Sequence, residues 1–161
     1  MIHNMEFSGS LPESMVNLSN LTTMMITWNS IPGPVPSVIG EMTSLRSLNL
    51  NSNGFSGPFP SFLCNLQLQE FSIANNSLSG PLPEDLGRML DSINVDQSRN
   101  VPFDLSGNAF SGDLPKSLTS HPNWKYVWPV FVRSGYFDHW DDVIIPGPSF
   151  HGVDILGNEV D

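Results

Sequence analysis

The densest group of side chains able to bind an ion lies near the end of the chain, at Asp138–Asp142. This segment holds three carboxylates, and carboxylate oxygens are preferred ligands of Ca²⁺. The spacing of these acids does not follow the ligand positions of the known calcium-binding loop. We therefore expect a solvated turn, with a cation site as the alternative, and we predict no metal and no cofactor for the chain.

The residue types that enzymes use for nucleophilic or acid–base chemistry are few and scattered. Cys64 is the only cysteine, so no internal disulfide can form, and the apolar segment Phe62–Leu66 around it predicts a small buried side chain. There is no phosphate-binding glycine loop, no HExxH motif and no nucleophile elbow. Four histidines lack metal-ligand spacing and are expected at the surface or capping an element: His3, His121, His139 and His151. The chain is therefore predicted not to be an enzyme.

Charge and hydropathy narrow the class of partner. The formal net charge is −10, from 16 acidic and 6 basic side chains. Nucleic-acid binding needs clustered Lys and Arg to neutralise phosphates, and the sequence has no such cluster. An anionic membrane surface would repel the chain, and no segment approaches the roughly 20 apolar residues needed to cross a bilayer. Its first residues lack a secretory signal. These features argue against nucleic acid as a partner and against membrane insertion.

A short phrase of the form Gly-x-x-Pro recurs five times and organises most of the chain. Its glycines are 24, 24, 23 and 32 residues apart, at Gly9, Gly33, Gly57, Gly80 and Gly112. An apolar residue stands two positions before each glycine: Phe7, Ile31, Phe55, Leu78 and Phe110. Two positions earlier comes an asparagine in four copies, and Met5 in the first: Asn29, Asn53, Asn76 and Asn108. Registered columns of this kind predict a stack of similar units.

Apolar triplets upstream of the asparagines predict the strands of this stack. The pattern is seen at Leu21-Met24-Ile26, at Leu45-Leu48-Leu50 and, more loosely, at Leu68-Phe71-Ile73. The last two members of each triplet alternate, which is typical of a short half-buried strand. Successive strands are expected to lie in parallel at about 4.8 Å and to share one apolar core. The asparagine amides are expected to bond backbone groups of the turn and of the adjacent copy.

These residues resemble the plant-type leucine-rich repeat, LxxLxLxxNxFSGxLPxxLxxL, most fully at Asn53–Pro60 and Asn108–Pro115. The resemblance implies an α/β fold: a right-handed leucine-rich-repeat solenoid with a short parallel β-sheet on its concave face and 3₁₀ or irregular segments on its convex side. It covers about five repeats in residues 1–120, the first truncated as if the chain were part of something larger. Eight extra residues within Asp91–Pro102 predict a bulge before Phe103–Leu105 resumes the strand.

The residues after the repeats predict a helical cap over residues 121–145. Trp124, Val127, Trp128 and Phe131 follow the spacing of a helical apolar stripe, with Ser120 as its cap, Pro122 in its first turn, Pro129 as a kink and Gly135 at its end. Residues 146–161 are predicted to be a linker or the start of a following domain. Pro148–Val160 resembles the opening strands of thioredoxin-like redoxins, with an ordinary hairpin as the alternative. Together with the repeats, this favours a bacterial surface or periplasmic protein.

The outward side chains of the predicted strands form the candidate binding surface. The ligand-binding residues are predicted to be Met25, Thr27, Trp28, Asn49, Asn51, Ser52, Ser72, Asn75 and Asp104, with His3, Asn4, Ala74, Ser106 and Gly107 as further concave positions. This surface is small, polar and nearly uncharged, and Trp28 is its large aromatic side chain. Aromatic side chains surrounded by polar groups anchor many interfaces.

We therefore predict an extracytoplasmic, non-catalytic recognition module, at the cell surface, in the periplasm or secreted, that binds a protein or peptide on its concave face. The alternatives are a spacer, a carbohydrate adhesin that stacks a glycan on Trp28, or a substrate-guiding part of a larger redoxin-containing enzyme. A competing hypothesis is that these outward side chains only contact solvent and bind no ligand.

Three asparagines stand in the Asn-x-Ser/Thr triplet of N-linked glycosylation: Asn17, Asn20 and Asn75. Asn17 and Asn20 are expected on the convex side and Asn75 on the concave edge. Such triplets arise easily in a repeat rich in Asn and Ser, and they are informative only in a protein secreted by a eukaryote.

Overall fold

The structure, a computed structural model, describes residues 2–3, 7–94 and 102–127. Short strands recur along this part of the chain, each where apolar side chains alternate or where the Gly-x-x-Pro phrase begins. Their bounds are Ile2–His3 (β1), Thr23–Thr27 (β2), Pro32–Gly33 (β3), Ser47–Asn49 (β4), Gly54–Gly57 (β5), Glu70–Ser72 (β6), Ser77–Gly80 (β7), Phe103–Asp104 (β8) and Ala109–Phe110 (β9).

Strands β1, β2, β4, β6 and β8 form one parallel sheet in that order. Met24 pairs with Leu48 and Leu48 with Phe71, so equivalent positions of successive repeats lie side by side. Continued by two residues, the same register aligns Ile26, Leu50 and Ile73, each 3% exposed or less. The predicted stack of strands over one shared core is therefore confirmed.

A second parallel sheet, in the order β3-β5-β7-β9, was not predicted from the sequence. It is built by the Gly-x-x-Pro phrase and the residues just before it, which we expected to run across an irregular convex side. Gly57 pairs with Leu78 and Gly80 with Phe110, so the glycines themselves belong to the ladder. Gly57 and Gly80 have φ of 89° and 83°, a conformation that glycine adopts without a steric penalty. Strands β3, β5 and β7 therefore end at the glycine of the phrase, whereas β9 ends at Phe110, two residues before Gly112.

In the part of the chain that the structure describes, the convex side carries four 3₁₀ helices, as predicted. Each follows directly on the proline of the recurrent phrase, which takes the N-cap position, where a non-helical backbone is usual. Their bounds are Glu13–Asn17 (η1), Ser37–Glu41 (η2), Ser61–Asn65 (η3) and Glu84–Asp91 (η4). No helix in the described ranges combines the length and the apolar character that a bilayer crossing requires.

The asparagine column ties each repeat to the one before it. Asn76 Nδ2 donates to the carbonyl oxygens of Leu50, Ile73 and Ala74 at 3.0, 3.0 and 3.2 Å. Asn76 Oδ1 accepts the backbone N–H of Phe55 at 3.1 Å. One amide thus satisfies backbone groups of two repeats that would otherwise be buried without partners, as expected.

Asn53 differs from its equivalents at one atom. Its Nδ2 donates to Ile26, Leu50 and Asn51 as the pattern requires. Its Oδ1, however, is buried and accepts no hydrogen bond from any residue that the structure describes. The equivalent donor would be the N–H of Ile31, the residue before Pro32, and a residue in that position has a restricted backbone.

The long interval between the fourth and fifth copies leaves the stack in register. Part of its extra length extends the convex helix, since η4 has 8 residues where the other three have 5 each. Beyond the interval, Phe103 in β8 pairs with Phe71 in β6, so the strand resumes where predicted. The rest of the proposed bulge, residues 95–101, lies outside the described residues.

The last described residues close the core with two short helical segments. The first, α1, spans Lys116–Thr119, and residues 124–127 form the second. Trp124 and Val127 are 5% and 0% exposed and pack into the common core. The predicted role of Ser120 as the cap of the second segment is wrong, because its hydroxyl donates back to the carbonyl of Lys116 at 2.6 Å and its residue ends α1.

His121 opens the second segment instead of Ser120. Its carbonyl accepts the N–H of Trp124 at 2.9 Å, and its Nδ1 accepts the N–H of Asn123 at 3.1 Å. His121 is therefore a capping residue, as expected. Three parts of the C-terminal prediction lie outside the described residues: Trp128 onward in the proposed cap over residues 121–145, the Asp138–Asp142 cluster, and the redoxin-like segment within residues 146–161.

Candidate binding face

The predicted site residues that point outward from the five-stranded sheet form three columns across the repeats. The first column is Met25, Asn49, Ser72 and Asp104, which the strand register pairs in that order. All four are half-buried, since each is flanked by the equivalent residue of the next repeat at about 4.8 Å. The structure thus brings these four predicted site residues together in one row.

A shallow hollow of about 230 Å³ lies over this row. Besides the four predicted residues, its walls include Ser47, Glu70 and Pro102. Ser47 and Glu70 are not among the predicted site residues, because each predicted strand begins one residue too late. The alternation of period two would have found them, since each precedes an inward residue and so faces the same way as the first column.

The hollow is electrostatically negative. Its lining includes the carboxylates of Glu70 and Asp104 and no lysine or arginine. Ser47 Oγ donates to Glu70 Oε2 at 2.7 Å, and Asp104 Oδ1 accepts the N–H of Ser106 at 2.9 Å. These bonds orient both carboxylates in the lining of the hollow, where a cationic or hydrogen-bond-donating group would be favoured. The surface is therefore more acidic than the sequence suggested.

The second column, Thr27, Asn51, Ala74 and Ser106, is tied into the fold. Asn51 Oδ1 accepts the hydroxyl of Ser72 at 2.6 Å and the N–H of Ala74 at 2.7 Å. The N–H of Asn51 donates in turn to Asn49 Oδ1 at 3.1 Å. Of these two predicted ligand-binding amides, Asn51 therefore uses its side-chain oxygen to connect neighbouring strands, whereas Asn49 uses its own within a single repeat.

The third column adopts the left-handed backbone conformation in each of the four repeats where the structure describes it. Its members and their φ angles are Trp28 at 57°, Ser52 at 56°, Asn75 at 55° and Gly107 at 65°. Trp28 is 61% exposed. A bulky side chain is rare in this conformation and raises the energy of the backbone. The sequence signal was the column itself, because Asn and Gly are the residues that tolerate positive φ.

The remaining positions of the predicted site give less evidence for ligand binding. Asn75 is exposed, but its Oδ1 lies against Gly107, where a Cβ atom would overlap it. His3 pairs with Thr27 through the backbone, and Asn4 lies outside the described residues. The described part of the chain contains no group of three His, Cys, Asp or Glu arranged to hold a metal ion.

Cys64 is buried within η3, as its apolar neighbours predicted. It is 4% exposed, and this burial, helped by the nearby Asp85 carboxylate, raises the pKa of its thiol from 9.0 to about 11. A thiol held neutral in this way is a poor nucleophile at physiological pH. Cys64 therefore acts as a core side chain.

Comparison with known proteins gives the same architecture. The leucine-rich-repeat family model matches residues 44–66 and 67–89. A serine/threonine-protein kinase of Arabidopsis thaliana, BRI1-like 1, is 40% identical over 53 residues, which cover 33% of this chain and 4% of that protein.

Three solved structures extend the comparison. The BIR3–SERK2 complex from Arabidopsis thaliana matches 74% of this chain and 60% of its own at 27% identity, with a TM-score of 0.65. A plant ice-binding protein matches 74% and 37% at 27% identity, with a TM-score of 0.64. The Arabidopsis receptor kinase HAESA, in complex with the peptide hormone IDA and the co-receptor SERK1, matches 71% and 18% at 28% identity, with a TM-score of 0.58.

The chain is thus a leucine-rich-repeat solenoid, as predicted. It spans only a small part of the kinase and 60% or less of these three structures. These four proteins are from plants, and none of them supports the bacterial type or the redoxin continuation that we expected.

Proposed function

We propose that this chain is a non-catalytic, extracytoplasmic recognition module that binds an extended peptide segment of a partner protein across its five-stranded sheet. The observation that carries the proposal is the acidic hollow over the row of Met25, Asn49, Ser72 and Asp104. The segment would lie across the repeats, with a lysine or arginine side chain in the hollow and an apolar side chain on Trp28.

The rigidity of the face favours this function. Asn51 and Asp104 each accept backbone or hydroxyl hydrogens that hold the row in place before any ligand arrives. A surface ordered in advance loses little conformational entropy on binding. A ligand side chain entering the hollow therefore contributes most of its contact energy to affinity.

Charge complementarity selects the chemistry of the ligand. Glu70 and Asp104 lie on the neighbouring strands β6 and β8, and both residues line the hollow. An ammonium or guanidinium group placed between them would make charge-assisted hydrogen bonds, which are stronger than neutral ones. A neutral glycan would leave both carboxylates without a cationic partner, so the peptide is the better match.

The related structures add support of a general kind. HAESA was solved with a peptide hormone and a co-receptor, and GASSHO1/SCHENGEN3 with CASPARIAN STRIP INTEGRITY FACTOR 2. The GASSHO1/SCHENGEN3 structure matches 72% of this chain at 32% identity, with a TM-score of 0.60. Similar repeats therefore present a surface to protein partners outside the cell in those receptors.

The test is binding of the whole chain to an array of synthetic extended peptides and, in parallel, to a glycan array. We expect peptides with a central Lys or Arg to be enriched, and their binding to weaken about tenfold in Trp28→Ala and in Glu70→Gln, a change of about 1.4 kcal/mol. Glu41→Gln is the matched control, because Glu41 is an exposed carboxylate on the convex helix η2.

Two outcomes would overturn the proposal. One is a set of bound peptides whose affinity is the same in Trp28→Ala, Glu70→Gln and the control. The other is signal on the glycan array alone, which would favour the carbohydrate adhesin. Raising the salt concentration should weaken the peptides with a basic residue more than neutral ones, since the charge contribution is partly screened.

A further inference from the structure

One glycosylation triplet, Asn17–Ser19, lies where the fold leaves a bulky modification room. Asn17 ends the convex helix η1, and Asn17, Leu18 and Ser19 are all exposed. Ser19 supplies the hydroxyl that the triplet requires at its third position. The triplet is therefore accessible, on the side of the solenoid away from the candidate binding face.

The exposure of Asn17 is a property of its column. The residues at the same position in the next two repeats are Glu41 and Asn65, at the ends of η2 and η3. Both are exposed although they have repeats on either side. The side chain at this position thus points away from the stack wherever it occurs.

The other two triplets are placed less favourably. Asn20 is exposed, but its equivalent in the next repeat, Ser44, is half-buried. Asn75 stands in the third column of the binding face, with its Oδ1 against Gly107. A glycan on Asn75 would cover the surface proposed to bind the ligand, whereas a glycan on Asn17 would leave it open.

We propose that Asn17 carries an N-linked glycan on the convex side of the solenoid. The step joins Asn17 Nδ2 to C1 of the first sugar of a lipid-linked oligosaccharide. The bond from C1 to the lipid diphosphate breaks, the diphosphate leaves with the bonding electrons, and the amide nitrogen loses one proton. The sugar also covers Leu18, which is 50% exposed although its equivalent Met42 is 1% exposed.

This inference rests on the extracytoplasmic location in the proposed function, but it does not depend on ligand binding. The whole chain is expressed behind a cleavable signal peptide in a eukaryotic secretory host. The secreted protein is treated with a peptide N-glycosidase in heavy-oxygen water, which marks each formerly glycosylated asparagine for peptide mapping. We expect the mark on Asn17.

Matched variants identify the site independently of folding. Asn17→Gln and Ser19→Ala should both abolish the glycan-dependent gel shift, and Ser19→Ala does so without touching the asparagine. Asn20→Gln and Asn75→Gln should keep the shift. An unmarked Asn17 in the secreted protein, or a shift that survives Ser19→Ala, overturns the proposal. Enzymatic removal of the glycan should leave the peptide-array pattern unchanged, so failure of the peptide proposal is scored separately.

Discussion

The left-handed backbone at Trp28 allows strain and ligand contact to be separated by one pair of variants. Trp28→Ala and Trp28→Gly both remove the indole, so neither retains its contacts. They differ in backbone energy, because φ at this residue is 57°. The difference in stability between them therefore measures the cost of the conformation itself.

The expected difference follows from two opposing terms. A left-handed conformation costs an L-residue about 1–2 kcal/mol, which glycine avoids. Glycine in turn loses more chain entropy on folding, a cost of roughly 0.5–1 kcal/mol. Trp28→Gly should thus be more stable than Trp28→Ala by about 0.5–1 kcal/mol, or roughly 1–4 °C in Tm for a chain of this length.

The neighbouring residue provides a control of opposite sign. Thr27 ends the extended strand β2, where glycine gains nothing from its freedom. Thr27→Gly should therefore melt below Thr27→Ala, by about the entropy cost of roughly 0.5–1 kcal/mol. Thermal unfolding followed by circular dichroism measures all four proteins. Equal melting temperatures for the two Trp28 variants, or the same order at both positions, would refute the conformational argument.

The same pair tests the binding proposal. If the indole itself anchors the ligand, Trp28→Ala and Trp28→Gly weaken peptide binding equally, although they differ in stability. If the ligand instead recognises the backbone conformation of the third column, the two variants should bind the peptide with different affinities. The anchoring role of Trp28 fails if both variants bind as tightly as the parent.

Three further predictions concern the core and the backbone. Asn76→Ala should lower the free energy of unfolding by about 2–3 kcal/mol, measured by urea denaturation. The loss should be about 1 kcal/mol larger than for Asn53→Ala, because Asn76 Oδ1 accepts a backbone N–H and Asn53 Oδ1 does not. Phe71→Ala should cost about 3–5 kcal/mol, since its ring is 1% exposed and contacts two other phenylalanines. Cys64 should resist Ellman's reagent at pH 8 until the protein is unfolded. Because the folded thiol has a pKa of about 11, above its ordinary 9.0, stability should fall as the pH rises between these values.

The repeated columns of the sequence predicted most of the architecture. The strands, the convex helices and the asparagine bonds all follow from positions that recur from copy to copy, with Met5 replacing the asparagine in the first. A recurring column reports a physical requirement that each repeat must meet, such as an inward apolar group at Leu48 and Phe71 or an amide at Asn76. These features were therefore visible before any coordinate.

The features that were missed depend on what neighbouring repeats do to one another. The second sheet forms because the segments Gly54–Gly57 and Ser77–Gly80 lie within pairing distance once the first sheet is stacked. No single copy encodes that pairing through an apolar alternation. Ser47 and Glu70 were missed for a simpler reason, because the strand boundary was set one residue late and the outward residue before the apolar pair was discarded.

Some side chains of the binding face already make hydrogen bonds within the fold, and this limits which residues can contribute binding energy. Asn51 uses its side-chain oxygen to hold the adjacent strand, and Asn49 uses its own to accept the N–H of Asn51. A ligand that captured either oxygen would have to break a hydrogen bond that supports the fold. Replacing an internal hydrogen bond by an external one yields little net affinity. Side chains whose removal leaves the ladder intact can contribute in full, and Trp28 and Glu70 are of this kind. We therefore expect the strongest contacts at Trp28 and in the acidic hollow. Asn49 and Asn51, which lie between them, should set the spacing of the ligand more than its affinity.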